Sequence, residues 1–219
     1  MIEMMVVVAL IGALAAIAVP KFDQFFANQR CKAAARSLAD AFRIAQSDAI
    51  RTGDPHIVFL SASAGGNPPA TDPGGTPLGV NPNGAPWPAV IVDDRTPALS
   101  NCVIDVGIET PQTLVQPQVG VSWGVSNAAR PLAPDDNSGL NPAAGSTFRT
   151  PGGAATTWVM FRPDGLPVSF DAACNQGTVG TGGGAAYVTN GSRDYAVVVT
   201  PLGGVRVHGW NAEANAWTN

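Results

Sequence analysis

Hydrophobic and polar positions follow three different patterns along the chain. From Met4 to Val19, sixteen consecutive positions carry no charge and no strong polar group. From Lys21 to Arg51 the apolar residues Cys31, Ala34, Leu38, Phe42, Ala45 and Ala49 recur at three- and four-residue steps, the spacing of one helix face. Alanine is frequent in both stretches and favours that conformation. Thr52, Gly53, Asp54 and Pro55 then supply a glycine cap and a following proline. One helix of about fifty residues is predicted, apolar all round in its first half and striped in its second.

Beyond Gly53 the pattern changes to short β-branched and aromatic runs bounded by Gly, Pro, Asn and Asp. They predict strands at 56–60, 89–92, 102–106, 113–115, 119–123, 157–161, 167–170, 185–188, 195–200 and 205–210. Leu202-Gly203-Gly204 and Asp164-Gly165 read as hairpin turns. Residues 61–88 hold thirteen Gly or Pro in 28 positions. They and residues 128–153 are predicted to be loop insertions and partner-facing surfaces. The expected fold class is α+β, a long N-terminal helix packed through its stripe on a mostly antiparallel β domain. The expected parts are a transmembrane half-helix (1–20), an amphipathic half (21–53) and an exported β-rich domain (54–219).

As a helix, the run from Met4 to Val19 is about 24 Å long, a little short of the roughly 30 Å hydrocarbon core, and Met1 and Ile2 extend it. A cleaved secretory signal needs a basic start and a small-residue cleavage site. No Lys or Arg precedes Lys21, and no such site follows the run. A buried helix of a soluble protein would keep a polar face, which this run lacks. It therefore reads as a membrane anchor built from Met4, Val6, Val7, Val8, Leu10, Ile11, Leu14, Ile17 and Val19. Glu3 lies inside its apolar end. An isolated carboxylate in hydrocarbon costs on the order of 2.5–3.5 kcal/mol at mid-helix and less near an end, so a neutralising partner is expected. Pro20 removes one backbone hydrogen bond inside the helix and is expected to kink or locally melt it.

Composition narrows the picture. With 45% apolar residues, the 219-residue chain is too apolar for wholesale disorder, and 25 Gly with 19 Pro exclude an all-helical bundle. A net charge of −4 gives the whole fold no attraction for nucleic acid. The charge is uneven, however. Lys21, Arg30, Lys32, Arg36, Arg43 and Arg51 face three Asp in the helix, whereas six Arg face twelve acids from Asp54 onward. The basic helix reads either as a solvated face or as a contact for acidic neighbours in an assembly.

No acid–base or nucleophile set stands out, so neither an enzyme nor a cofactor or metal site is expected. His56 and His208, the two histidines, read as structural. Asp93-Asp94 and Asp135-Asp136-Asn137 read as carboxylate pairs in loops, the second as a solvated turn that lacks the alternating ligand spacing and the bidentate Glu of a calcium loop. Glycines 180, 182, 183 and 184 read as a flexible linker, with no strand-to-helix context for phosphate. Cys31 reads as a small buried apolar residue. Cys102 and Cys174 lie where a disulfide is allowed, and their spacing leaves pairing open.

Ile2-Glu3-Met4-Met5-Val6-Val7-Val8, Ile11-Gly12, Leu14-Ala15-Ala16-Ile17-Ala18-Val19-Pro20 and Lys21-Phe22 resemble, without a gap, the N-terminus of type IV pilins and type II secretion pseudopilins. That pattern is a Phe-Thr-Leu-Ile-Glu-Leu start, an apolar helix, then Pro and a Lys- or Ser-Phe pair. Phe26-Ala27-Asn28-Gln29-Arg30 and Ala45-Gln46-Ser47-Asp48-Ala49-Ile50-Arg51 resemble H-type pseudopilins and FimT-like minor pilins. So do Phe161-Arg162-Pro163-Asp164-Gly165 and the stretch from Tyr195 to Val207. The resemblance covers 1–53 and 157–210.

It implies a minor subunit of a secretion pseudopilus or type IV pilus. The partners implied are other pilins or pseudopilins, the cytoplasmic membrane, an assembly platform and prepilin peptidase. The location implied is the bacterial inner membrane, single-pass, with the globular domain in the periplasm. Glu3 is implied to set register by meeting a neighbour's N-terminal amine. The alternative is a DNA-binding minor pilin. Such pilins carry a Gly-Arg-x-Arg motif in a basic tail, and here Gly204-Val205-Arg206-Val207-His208 keeps one Arg, which makes DNA a poor partner.

The positive-inside rule favours a cytoplasmic Lys21–Lys32 flank, whereas the family places its processed N-terminus there, which gives weight to basic residues in a leader. Met1 aligns with the family's third mature residue, so peptidase cleavage needs a leader upstream. Genomic sequence upstream of Met1 is expected to encode a short basic leader ending in Gly, followed by Phe and a small polar residue. A stop codon or an ordinary export signal there would contradict the resemblance.

Overall fold

The computed structural model describes residues 2–61, 71–75, 89–94, 101–103, 109, 111–115, 118–127 and 145–218. Within the helix, the side chains of Ile2, Val6, Val8, Ala15, Ile17, Ala18 and Pro20 lie outside this description.

Helix α1 runs from Ile2 to Thr52, and its helical backbone passes through position 20 without a break. It stops where glycine permits a left-handed turn: Gly53 has φ +79° and donates its N–H to the Ala49 carbonyl at 3.0 Å. Thr52 Oγ1 donates to the Asp48 carbonyl at 2.9 Å and accepts from the Asp54 N–H at 3.2 Å, which ties the chain reversal to the last turn.

Ten strands follow among the described residues: β1 (His56–Leu60), β2 (Ala89–Asp93), β3 (Pro111–Val115), β4 (Ser122–Trp123), β5 (Trp158–Phe161), β6 (Pro167–Val168), β7 (Gly184–Thr189), β8 (Asp194–Val199), β9 (Val205–Asn211) and β10 (Ala216–Thr218). They form two five-stranded sheets, ordered β3-β2-β1-β5-β6 and β10-β9-β8-β7-β4. Every described pairing is antiparallel.

The period of two along the strands divides the core. Val58, Leu60, Ala89, Ile91, Val159 and Phe161 of the first sheet meet Ala186, Val188, Val197 and Val199 of the second around the helix stripe. The alternate residues Ile57, Phe59, Val90, Val92 and Met160 form a second cluster on the opposite face, with Val168, Phe170 and Cys102. Ala185, Tyr187, Ala196 and Val198 form a third behind the second sheet. The stripe consists of Cys31, Ala35, Leu38, Ala39, Ala41, Phe42, Ala45 and Ala49. Ala35 takes the fully buried place expected of Ala34, which is half-buried one position round the helix. Small residues let both sheets approach the helix, and Leu38 and Phe42 fill the wider gaps.

Several predicted boundaries shift. Residues 101–103 are bends rather than strand, with the rest of 102–106 outside the described residues. Residues 119–120 form a turn, and the predicted strand there reduces to Ser122–Trp123. The predicted strand at 167–170 ends at Val168, and Phe170 makes an isolated bridge to Gln176. Both predicted hairpin turns form, with Gly165 at φ +76° and Gly203 at φ +83°.

The Gly-rich stretch at 180–184 is a packed crossing and not a flexible linker. A Cβ at Gly182 would run into the Pro167 backbone, and Gly184 opens β7 against Phe148. Most of 61–88 and 128–144 lies outside the described residues. Residues 145–149, predicted as loop, carry Phe148 into the core beside Phe42, with ring centroids 5.8 Å apart.

Cys102 and Cys174 are joined, with Cα atoms 5.4 Å apart, and the bond fastens two segments over the second cluster. Removing it with Cys102→Ser and Cys174→Ser is expected to cost about 4 kcal/mol by chain entropy for this loop length, with a matching fall in Tm. Phe42→Ala is expected to cost about 3–5 kcal/mol in urea unfolding. A loss below about 1 kcal/mol would show that the helix stripe is not core.

Candidate functional site

The helix is fastened to the domain along only part of its length. Asn28 Oδ1 accepts from Asn190 Nδ2 at 2.9 Å and from Ser192 Oγ at 3.0 Å. Arg43 donates to the Val205 carbonyl at 3.2 Å, and Gln46 donates to the Gly165 carbonyl at 2.8 Å. Cys31 is the first fully buried residue of the stripe, and burial followed by the Asp194 charge pushes its thiol up to about 12. A thiol held neutral in this way is inert in ordinary conditions.

Before Asn28 the helix leaves the domain. Met4, Met5, Val7, Leu10, Ile11, Leu14, Val19, Phe22, Phe25 and Phe26 are exposed by between 49% and 74% of their surface. At about 1.5–3 kcal/mol for full burial of each side chain, their hydration costs on the order of 10 kcal/mol or more. That equals the whole folding free energy of an ordinary domain, about 5–15 kcal/mol. A surface of this size and apolarity marks an interaction surface.

Among the described residues, no helix is long and apolar enough to cross a membrane. Of the expected anchor, Met4, Val7, Leu10, Ile11, Leu14 and Val19 are exposed, and Val6, Val8 and Ile17 have side chains outside the description. The side chain of Pro20 lies outside it too.

Glu3 sits in the first turn of α1 and is exposed. The amide dipoles there favour a negative charge. Among the described residues it makes no hydrogen bond and no ion pair. Its nearest described helix neighbours, Met4, Met5 and Val7, are exposed and apolar, so among the described residues of this first turn and the next Glu3 carries the one charge. Phe22, Phe25 and Phe26 extend the apolar surface past Lys21, and the Phe25 and Phe26 rings meet edge to face at 5.8 Å. The sequence pattern marked Phe22 and Phe26 as motif residues, but gave no reason to place Phe25 outside the core.

The remaining polar candidates are structural. His56 is fully buried at the start of β1, with Nδ1 3.1 Å from the Asp54 carbonyl and Nε2 4.0 Å from Asp93 Oδ1. Asp93, expected in a loop, ends β2, Asp94 follows it, and both are buried. Asp94 Oδ2 accepts from the Cys102 N–H at 3.3 Å. Asp94, Cys102 and Cys174 lie within 4.8 Å of one another, but the two sulfurs are bonded to each other and hold no metal. Asp135, Asp136 and Asn137 lie outside the described residues.

Arg206 is exposed on β9. Burial, and then the Arg206 charge, hold His208 below the usual imidazole range, so His208 is neutral at neutral pH.

The whole arrangement is a long N-terminal helix packed on antiparallel β-sheets with a disulfide, which is consistent with a pilin-like fold. No family model matches the chain, and no curated protein or solved structure matches it significantly.

Proposed function

We propose that the chain is a minor pilin or pseudopilin, a structural subunit of a type II secretion pseudopilus or a type IV pilus, and that it assembles through the free half of α1. The observation that carries this reading is the exposed apolar surface before Asn28, with one carboxylate at its end. Two coverings suit such a surface. Lipid receives it before assembly: the uncharged run from Met4 to Val19, read over its whole sequence, serves as a single-pass anchor in the bacterial inner membrane, with the β domain in the periplasm. Sister helices receive it afterwards, in the core of a filament.

The disulfide between Cys102 and Cys174 supports an oxidising compartment for the domain. The motif from Ile2 to Phe22, shared by type IV pilins and type II secretion pseudopilins, supports membership in a filament system of either kind, with an assembly platform and prepilin peptidase as partners.

Glu3 gives the assembly its register. In lipid the carboxylate sits near the interface, where its cost is small. In a helix bundle it is buried, and an unpaired buried charge is strongly destabilising. A neighbour's N-terminal amine supplies the missing cation at one axial offset, and every other offset leaves the charge unpaired. The carboxylate thus acts against wrong registers more than it adds affinity to the right one.

Replacing Glu3 in a chain that carries a cleavable leader tests this. Glu3→Ala and Glu3→Gln are expected to leave membrane insertion unchanged. Both are expected to reduce incorporation into filaments at least tenfold, read by shearing filaments from cells and blotting. Normal incorporation of both variants would overturn the register role.

A further inference from the structure

A groove of about 770 Å³ runs between α1 and the second sheet. Lys32 and Arg36 form one wall, four residues apart on one helix face. Arg193, Tyr195 and Trp210 form the other, with Glu213 on the rim. Lys32, Arg36 and Arg193 are exposed, and among the described residues no carboxylate pairs with any of them.

Other arginines are treated differently. Arg43 pairs with Asp40 at 2.9 Å, Arg51 with Asp48 at 3.1 Å and Arg162 with Asp164 at 3.2 Å. Asp194 lies in the groove wall, but its carboxylate is buried and faces the main chain. It accepts from the Ser126 N–H at 3.0 Å and the Asn127 N–H at 2.6 Å. The groove therefore gathers three cations against one exposed carboxylate, Glu213. Burial chiefly raises the Tyr195 phenol, and Arg193 and Arg36 oppose that rise, so both guanidiniums act on the same wall.

We propose that this groove is a docking site for an acidic peptide segment of a neighbouring filament subunit. The inference rests on the subunit reading only for where the segment comes from. Its volume lies in the range of ligand clefts, about 300–1,000 Å³. Planar guanidiniums suit carboxylates, which they bind through paired N–H donors. The groove also opens at the neck of the molecule. Lys32 directly follows Cys31, where the helix enters the domain, and helix bundling brings neighbouring subunits to that level.

A nucleic-acid strand would call for a continuous basic stripe. Here Glu213 interrupts the rim, and the chain carries a net charge of −4.

The test uses the full chain in non-ionic detergent and a fluorescein-labelled hexaglutamate peptide, read by anisotropy. Hexalysine and a single-stranded oligonucleotide of matched length serve as comparisons. Circular dichroism checks that each variant is folded. Hexaglutamate is expected to bind in preference to both. Arg36→Gln and Arg193→Gln are each expected to weaken it about three- to tenfold, as loss of one charge-assisted contact does. Lys32→Arg is expected to bind within about twofold of the parent, because it keeps the charge. Arg206→Gln, outside the groove, is expected to change nothing.

No binding of hexaglutamate, binding indifferent to Arg36 and Arg193, or tighter oligonucleotide binding through the same residues would each overturn the proposal. Anisotropy needs no filament, so a failure here leaves the role of Glu3 standing, and a failure of that role leaves this result readable.

Discussion

Half of α1 presents apolar side chains that nothing else among the described residues covers, and the rest of the structure is arranged around that cost. Ten large apolar residues from Met4 to Phe26 stand exposed along a helix that the domain grips only from Asn28 onward. From Ile2 to Ala27 this free segment is about 39 Å long at 1.5 Å per residue. Water penalises it by as much as a domain gains on folding. A neighbouring apolar phase, lipid or sister helices, removes the penalty without any change in the domain.

The domain supplies a rigid base for that projecting rod. Cys31, Ala35, Leu38, Phe42, Ala45 and Ala49 are buried between two sheets, so the second half of α1 serves as a layer of the core and not as a tether. Polar contacts at Asn28, Arg43 and Gln46 fix it lengthwise against the second sheet and the β5–β6 turn. The disulfide closes the outer face of the first sheet, and Gly182 allows the close crossing of β6 that a side chain would block. A load on the free half of the helix is therefore passed to two sheets.

Much of this was legible in the pattern of residues, and the failures have physical reasons. The helix, its glycine stop and the two hairpin turns follow from local chemistry, which acts within a few residues. Strands β1, β5, β8 and β9 were visible because β-branched and aromatic residues alternate on two covered faces. Phe148 was missed because its neighbours are Gly, Ser, Thr, Arg and Pro, and distant residues, Phe42 among them, make it core. Strand β10 was missed because Ala216, Trp217 and Thr218 make too short a run, ordered by pairing with β9 and by Trp217 against Trp210 at 5.3 Å. The buried places of Asp93 and Asp94 depend on His56 and on Cys102, both outside the local window. The candidate site divides in the same way: Glu3 and the apolar run were readable as sequence, whereas the cations of the groove come together only through the packing of α1 on β8.

Fractionation of cells producing the full chain, followed by alkaline carbonate extraction of the membranes, tests the central claim most directly. If the free half of α1 is covered by lipid or by sister helices, the protein stays in the carbonate-resistant pellet or in sheared filaments and leaves the pellet only with detergent. Recovery of the intact chain as a monomer in the detergent-free supernatant would contradict the account.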